Sequence, residues 1–314
     1  MARSAGKGRA IPSRPLGRTG ARVSALGLGG YHLGLVKSER TAVRIVQEAI
    51  AGGITFMDNA WEYHDGRSER LMGRALEGRR DQVFLMSKVC SHGRGKATAM
   101  AQLEESLKRL RTDHLDLWQV HEVVYANDPE RHYAKGGVLE ALRLARKQGK
   151  VRFVGFTGHK DPAIHLDMLA RGFPFDTVQF PLNCFDASFR SFATQVLPEV
   201  RRRGMAAIGM KPFGGTGAML KKRAVSARDA LRYAMSLPVA VTVTGIDSLK
   251  VLRQDLAIAR GFVPLSAAAM ERIRRRCAPS AGDGRFELYK TSATFEGPIG
   301  REQHGFPPLD EMSA

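Results

Sequence analysis

Eight short apolar runs recur along this chain, spaced so that one helix fits between neighbours, and this alternation limits the fold more than any other feature. The runs are VSALGLGG from Val23, ITFMD from Ile54, VFLMSK from Val83, LDLWQVH from Leu115, VRFVGFTG from Val151, DTVQF from Asp176, AAIGMK from Ala206 and VAVTVTG from Val239. Each is bounded by Gly, Asp or polar residues, as buried strands are. The segments between them have helical spacing. In SERTAVRIVQEAIAGG, residues Ala42, Ile45, Val46, Ala49 and Ile50 fall on one face, and Gly52 and Gly53 close the helix. Strands alternating with helices call for parallel β-α units joined by right-handed crossovers. An open doubly wound sheet alternates too, but eight units within about 250 residues favour a closed (β/α)8 TIM barrel. No Gly/Ser/Pro tract splits the chain, so a single domain is expected. Residues 1–12 read as a loose basic tail, 13–278 as the barrel, and 279–314 as a loop-rich tail packed on it.

Composition narrows the class. The chain has 314 residues, 43% hydrophobic and 25% charged, ordinary for a globular protein. No apolar stretch is long enough for a membrane span, and the basic N-terminus has no apolar signal core. Cys90, Cys184 and Cys277 are far apart and show no metal-binding spacing, so free thiols, a cytoplasmic setting and no metal are expected. The net charge of +18 raises the question of nucleic acid. The arginines, however, are scattered over helical segments such as EVRRRGM and ERIRRRCA, which favours solvated helix faces over a nucleic-acid site.

In a barrel of this kind the chemistry sits where strands end. The second run ends in Asp58, with Tyr63 in the following loop. The third ends in Lys88 and the fourth in His121; the sixth carries Gln179 and the seventh ends in Lys211. Each has an ordinary explanation: a turn cap, an exposed lysine, a structural histidine. The coincidence of an acid, a phenol, an amine and an imidazole at three successive strand ends points to a site. An ammonium beside a phenol is expected to lower its pKa from about 10. Asp58 would hold Lys88 in place, and His121 would bond a substrate oxygen. Tyr63 is then a general acid for a forming alkoxide. No side chain delivers hydride, so a nicotinamide cofactor is implied.

The chain resembles the aldo-keto reductases. The resemblance rests on RPLGRTGARVSALGLGG, FMDNAWEYHDGRSERLMGRAL, VFLMSKV, RLRTDHLDLWQVHEV, GKVRFVGFTGH, DTVQFPLNCFD and GIDSLKVLRQDLAIA, and the MKPFGG stretch is similar to that of a bacterial branch. It implies a (β/α)8 barrel that takes NADPH, with NADH as the other possibility, and a small carbonyl substrate. It implies Asp58, Tyr63, Lys88 and His121 as the catalytic tetrad. Cofactor contacts are implied at Gly30, Tyr31, Asp58, Thr157, Gln179, Met210, Lys211, Gly245, Asp247 and Asp255. Several depart from the family pattern. Thr157-Gly158 replaces Ser-Asn, Met210 replaces a stacking Tyr, and Asp255 replaces an adenine-contacting Asn. The basic 2′-phosphate positions fall on Gly245 and Val251. Cys277 alone near the C-terminus implies no iron–sulfur cluster. Two other readings stay open: a cofactor-binding regulatory subunit with little turnover, and a barrel enzyme for a phosphorylated sugar. The Gly-rich GLGG and FGGTG stretches could cradle phosphate or be tight turns. Trp61, Trp118 and Phe185 could line a pocket or belong to the core.

Overall fold

The structure is a computed structural model that describes residues 10–90, 95–293 and 295–311. After a short antiparallel hairpin of β1 (Ser13–Pro15) and β2 (Arg22–Ser24) come eight strands: β3 (Leu26–Gly29), β4 (Phe56–Asp58), β5 (Phe84–Val89), β6 (Leu115–Val120), β7 (Val151–Thr157), β8 (Thr177–Pro181), β9 (Ala206–Met210) and β10 (Val241–Gly245). They close into a parallel barrel in the order β10-β3-β4-β5-β6-β7-β8-β9. The expected (β/α)8 fold is present. One boundary differs. The first apolar run is divided: Val23 belongs to the hairpin, and the barrel strand begins at Leu26. The physical reason is a plug. Leu16 and Val23 from the hairpin pack with Phe56, Phe84 and Val241 to fill the barrel floor.

Strand alternation sorts the side chains. Phe56, Phe84, Met86 and Leu117 face the barrel interior, while Met57, Leu85, Trp118 and Val120 pack outward against the helices. The Phe84 ring stacks between Phe56 (5.4 Å) and Phe153 (6.2 Å). Two residues further along, the same inward face carries Asp58 on β4, Lys88 on β5 and Gln119 on β6, and Thr157 and Gln179 pair in register on β7 and β8. An apolar floor therefore gives way to a polar mouth within each strand. Trp118 and Phe185 are fully buried core residues, not pocket walls.

The helix at Glu39–Ala51 starts at Ser38, whose hydroxyl accepts from Thr41 N, and it buries Ala42, Ile45, Val46 and Ala49. Arginines on such helices pair locally, as Arg44 with Glu48 and Arg202 with Glu199, in the way solvated faces do. Residues 1–9 of the expected tail lie outside the described residues. Ile11 is buried against the barrel, so the packed part begins before residue 13.

The C-terminal segment is not loop alone. It contains short helices at Leu288–Thr291 and Pro298–Gln303. It is tied down by a buried polar group: Lys290 Nζ donates to Asp186 Oδ1 (2.8 Å), Glu287 Oε2 (3.0 Å) and Phe189 O (2.8 Å). Asn183, two residues past β8, donates to Glu287 (2.9 Å). Two of the FGGTG glycines, Gly214 and Gly215, serve this packing. A Cβ on Gly214 would sit 2.3 Å from Phe286 O, and one on Gly215 would sit 2.9 Å from the Phe295 ring.

Candidate active site

The barrel mouth brings Asp58, Tyr63, Lys88 and His121 together. Lys88 is buried, and its ammonium donates to Asp58 Oδ1 and to Asn59 O (2.8 Å). The other Asp58 oxygen accepts from Gln179 Nε2 at 2.6 Å. Tyr63 Oη lies 3.4 Å from His121 Nε2, and Lys88 Nζ lies 5.1 Å from the centre of the Tyr63 ring. The loop that presents Tyr63 is sharply turned. His64, Asp65 and Gly66 all have positive φ, at 54°, 53° and 74°. His and Asp tolerate that region better than most residues, and glycine does so freely. Ser68 and Glu69 of GRSERL then anchor the loop. Ser68 Oγ donates to Gly30 O (2.7 Å), and buried Glu69 accepts from Ser87 (2.5 Å) and pairs with Arg109 (3.3 Å).

Electrostatics correct one expectation. Tyr63 is held well above the ordinary phenol value, by burial first and then by the Asp58 carboxylate. The ammonium of Lys88, paired with Asp58, does not outweigh these effects. A phenol that keeps its proton at neutral pH is suited to donating one. Burial also pushes His121 below the ordinary histidine value, opposed by Glu62. Lys211 is pushed down to about 8, chiefly by burial, with its ammonium over the rings of Tyr289 (5.5 Å) and Phe295 (5.1 Å).

Two carboxyl groups at the mouth escaped the sequence reading. Glu62 immediately precedes Tyr63 and pairs with His121 Nδ1. Glu122 follows His121 with φ of 52°, accepts from Gly297 N (2.9 Å), and is held well above the ordinary carboxyl value by burial and by Glu62. A ring nitrogen of His121 and a carboxylate oxygen from each of Glu62 and Glu122 all lie within 4.8 Å of one another. Only their neighbours in sequence, Tyr63 and His121, could have pointed to them.

The residues expected at the cofactor fall into two groups. Gly30, Tyr31, Thr157, Gln179, Met210 and Lys211 ring the mouth at strand ends. A Cβ on Gly30 would meet Asp58 O at 2.7 Å, so only glycine fits there. Tyr31 is exposed and stands edge-on to Tyr63 at 5.4 Å. Gln179 Oε1 is buried with no hydrogen-bond partner among the described residues, an acceptor open to an amide N–H. A Cβ on Gly158 would clash with Val123 O at 2.1 Å, which explains the loss of an amide side chain after Thr157. The second group lies at the end of β10. His32 fills the space above Gly245, 2.2 Å from where a Cβ would be. Asp247 is exposed. Asp255 is fully buried, accepts from Thr244 Oγ1 at 3.1 Å, and is pushed up to about 7 by burial.

Asp255 carries a stability prediction. An acid whose folded pKa exceeds its unfolded value holds its proton more tightly when folded. Its contribution is therefore intact below about pH 4 and falls as pH rises towards 7. Asp255→Asn removes the buried charge. Urea unfolding is expected to show a gain of about 1–4 kcal/mol at pH 8 and none at pH 3.5. An equal effect at both pH values contradicts the burial argument.

A model of the aldo/keto reductase family matches residues 25–230, from β3 through all but the last strand. The chain belongs to the aldo/keto reductase family. It is 32% identical over 223 residues to the uncharacterized oxidoreductase YrpG of Bacillus subtilis, covering 64% of this chain and 66% of that protein. It is 42% identical over 129 residues to the methylglyoxal reductase YeaE of Escherichia coli, covering 41% of this chain and 43% of that protein. The matches thus span 43% to 66% of the length of these two relatives. Among solved structures, an aldo-keto reductase from Klebsiella pneumoniae in complex with NADP and acetate superposes with a TM-score of 0.70. At 24% identity, that match covers 85% of this chain and 96% of the other. The polar side chains gather at the C-terminal ends of the strands, the face on which (β/α)8 barrels carry their sites. Among the described residues no helix is long and apolar enough to cross a membrane.

Proposed function

We propose that this aldo/keto reductase reduces aldehydes or ketones to alcohols with a nicotinamide cofactor, and that Tyr63 is the proton donor. The observation that carries the reading is the buried Lys88–Asp58 pair with Tyr63 and His121 beside it. Gln179 and Asp58 would hold the nicotinamide amide, with Gly30 allowing close approach and Met210 packing on the ring. Relatives solved with NADP and NADPH support this choice. The bound nicotinamide supplies the hydride. The chain's own residues manage the proton. Tyr63 Oη gives its proton to the carbonyl oxygen as negative charge grows there. His121 orients that oxygen, and Lys88, fixed by Asp58 and Asn59, stabilises the tyrosinate left behind. A screen of carbonyl compounds with NADPH and with NADH, followed by nicotinamide absorbance, tests the reading. Cofactor binding without turnover of any aldehyde or ketone would favour a regulatory subunit instead.

NADPH is expected to be bound with weaker discrimination against NADH than a full basic clamp provides. Lys250 is exposed, and Arg253 is shared with Glu48 in a surface pair at 3.2 Å, which yields readily to a phosphate. Either residue would contribute about 1–3 kcal/mol through a charge-assisted bond. Dissociation constants for both cofactors check this. A thousandfold preference for NADPH that survives neutralisation of Lys250 and Arg253 would place the phosphate site elsewhere.

A further inference from the structure

We infer that Glu62 is a positioning residue: it fixes the tautomer of His121 so that Nε2 faces Tyr63 Oη, and it stabilises His121 when both ring nitrogens are protonated. This rests on the reading of Tyr63 as proton donor and extends it to how Tyr63 is reloaded. The geometry is a relay of three side chains. Glu62 Oε1 lies against His121 Nδ1, a placement that favours a proton on Nδ1, and Nε2 is turned to Tyr63 Oη at 3.4 Å. Glu62 and His121 are both nearly enclosed, which strengthens their interaction.

The groups facing His121 come from every side of the mouth. Asp58 and Lys88 lie on β4 and β5, and Tyr63 and Glu62 on the loop after β4. Glu122 follows His121 itself, His159 lies after β7, and Lys211 lies after β9. Glu296 adds a carboxylate from the C-terminal segment, neutralised by Lys160 and Arg301. Asp58 is matched by Lys88. Glu122 is held above the ordinary carboxyl range by burial and by Glu62, and it accepts from Gly297 N. Glu62, whose Oε1 lies against Nδ1, is the carboxylate placed to support a charged imidazole.

The proton balance follows. In reduction the Tyr63 O–H bond breaks as the alcohol O–H bond forms, leaving tyrosinate. Doubly protonated His121 passes its Nε2 proton to Tyr63 Oη and becomes the neutral Nδ1–H tautomer, still facing Glu62. A proton from water at the mouth restores the Nε2–H bond. Oxidation of an alcohol runs the same transfers backwards. A carboxylate that orients a histidine and stabilises its charged form acts by the same physics in other enzymes.

The test uses the full chain saturated with NADPH, para-nitrobenzaldehyde as probe, and the variants Glu62→Gln, Glu62→Asp and Tyr63→Phe. Glu62→Gln should lower kcat by about tenfold or more and move the alkaline limb of kcat/KM for reduction, where His121 loses its second proton, to lower pH. Glu62→Asp should recover part of both. Nitrogen NMR of His121 should show the Nδ1–H tautomer in the parent protein and titration at lower pH in Glu62→Gln. Unchanged kcat, pH limb and His121 titration in Glu62→Gln, with Tyr63→Phe inactive, would overturn the inference and leave the role of Tyr63 standing. A fully active Tyr63→Phe would overturn the reading beneath it. If para-nitrobenzaldehyde is not turned over, the His121 tautomer and titration decide alone: a shift supports the role of Glu62, and no shift overturns it.

Discussion

Tyr63→Phe is expected to lower carbonyl turnover by at least about a hundredfold, the scale on which a general acid contributes, while cofactor affinity stays within about twofold. The substitution removes one oxygen and leaves the ring. The ring still meets Tyr31 and His121 edge-on, and Lys88 remains bound to Asp58 and Asn59. The loss should fall on kcat, because the proton is needed in the transition state and not for binding. Stopped-flow single turnovers with several aldehydes separate the two. A variant with near-parental rates would mean that another group, such as His121, protonates the alkoxide.

The second large effect concerns stability. Lys290 is fully buried with Asp186 and Glu287, and its ammonium makes three hydrogen bonds. Removing one partner from a buried ionic group strands the others, a loss of about 3–5 kcal/mol. Lys290→Met keeps the volume and deletes the charge. Its midpoint in urea should drop accordingly, and limited proteolysis should cut first near residues 287–306. The same segment reaches Glu122 through Gly297, so activity should fall along with the midpoint. A midpoint within about 0.5 kcal/mol of the parent, the range of an ordinary surface change, would show that the C-terminal segment is held mainly by its apolar contacts.

The barrel was legible because two periodicities, two in the strands and about 3.6 in the helices, repeat along the chain. The tetrad candidates were legible because alternation puts Lys88 on the face of Met86, and His121 on the face of Leu117, at predictable strand ends. Glu62 and Glu122 were not, because loop backbone sets where they point; Glu122 even has a positive φ that no local pattern signals. The C-terminal polar group was invisible for a different reason. Asn183 and Glu287 are 104 residues apart, and a lone Asn, Glu or Lys in a tail reads as solvated. The hairpin plug was missed because Ser24 and Ala25 carry no breaker to divide Val23 from Leu26. The direction of the Tyr63 shift was not legible because sequence shows which charges are near but not that burial and Asp58 together outweigh Lys88.

The most direct measurement follows the hydrogen itself. NADPH carrying deuterium at the transferable nicotinamide position is mixed with the full chain and a reducible aldehyde, and the products are analysed by mass spectrometry. The account predicts one deuterium on the carbinol carbon of the alcohol for each cofactor oxidised, with the hydroxyl proton drawn from water. Alcohol formed without deuterium, or cofactor bound and never oxidised across a broad carbonyl panel, would contradict it.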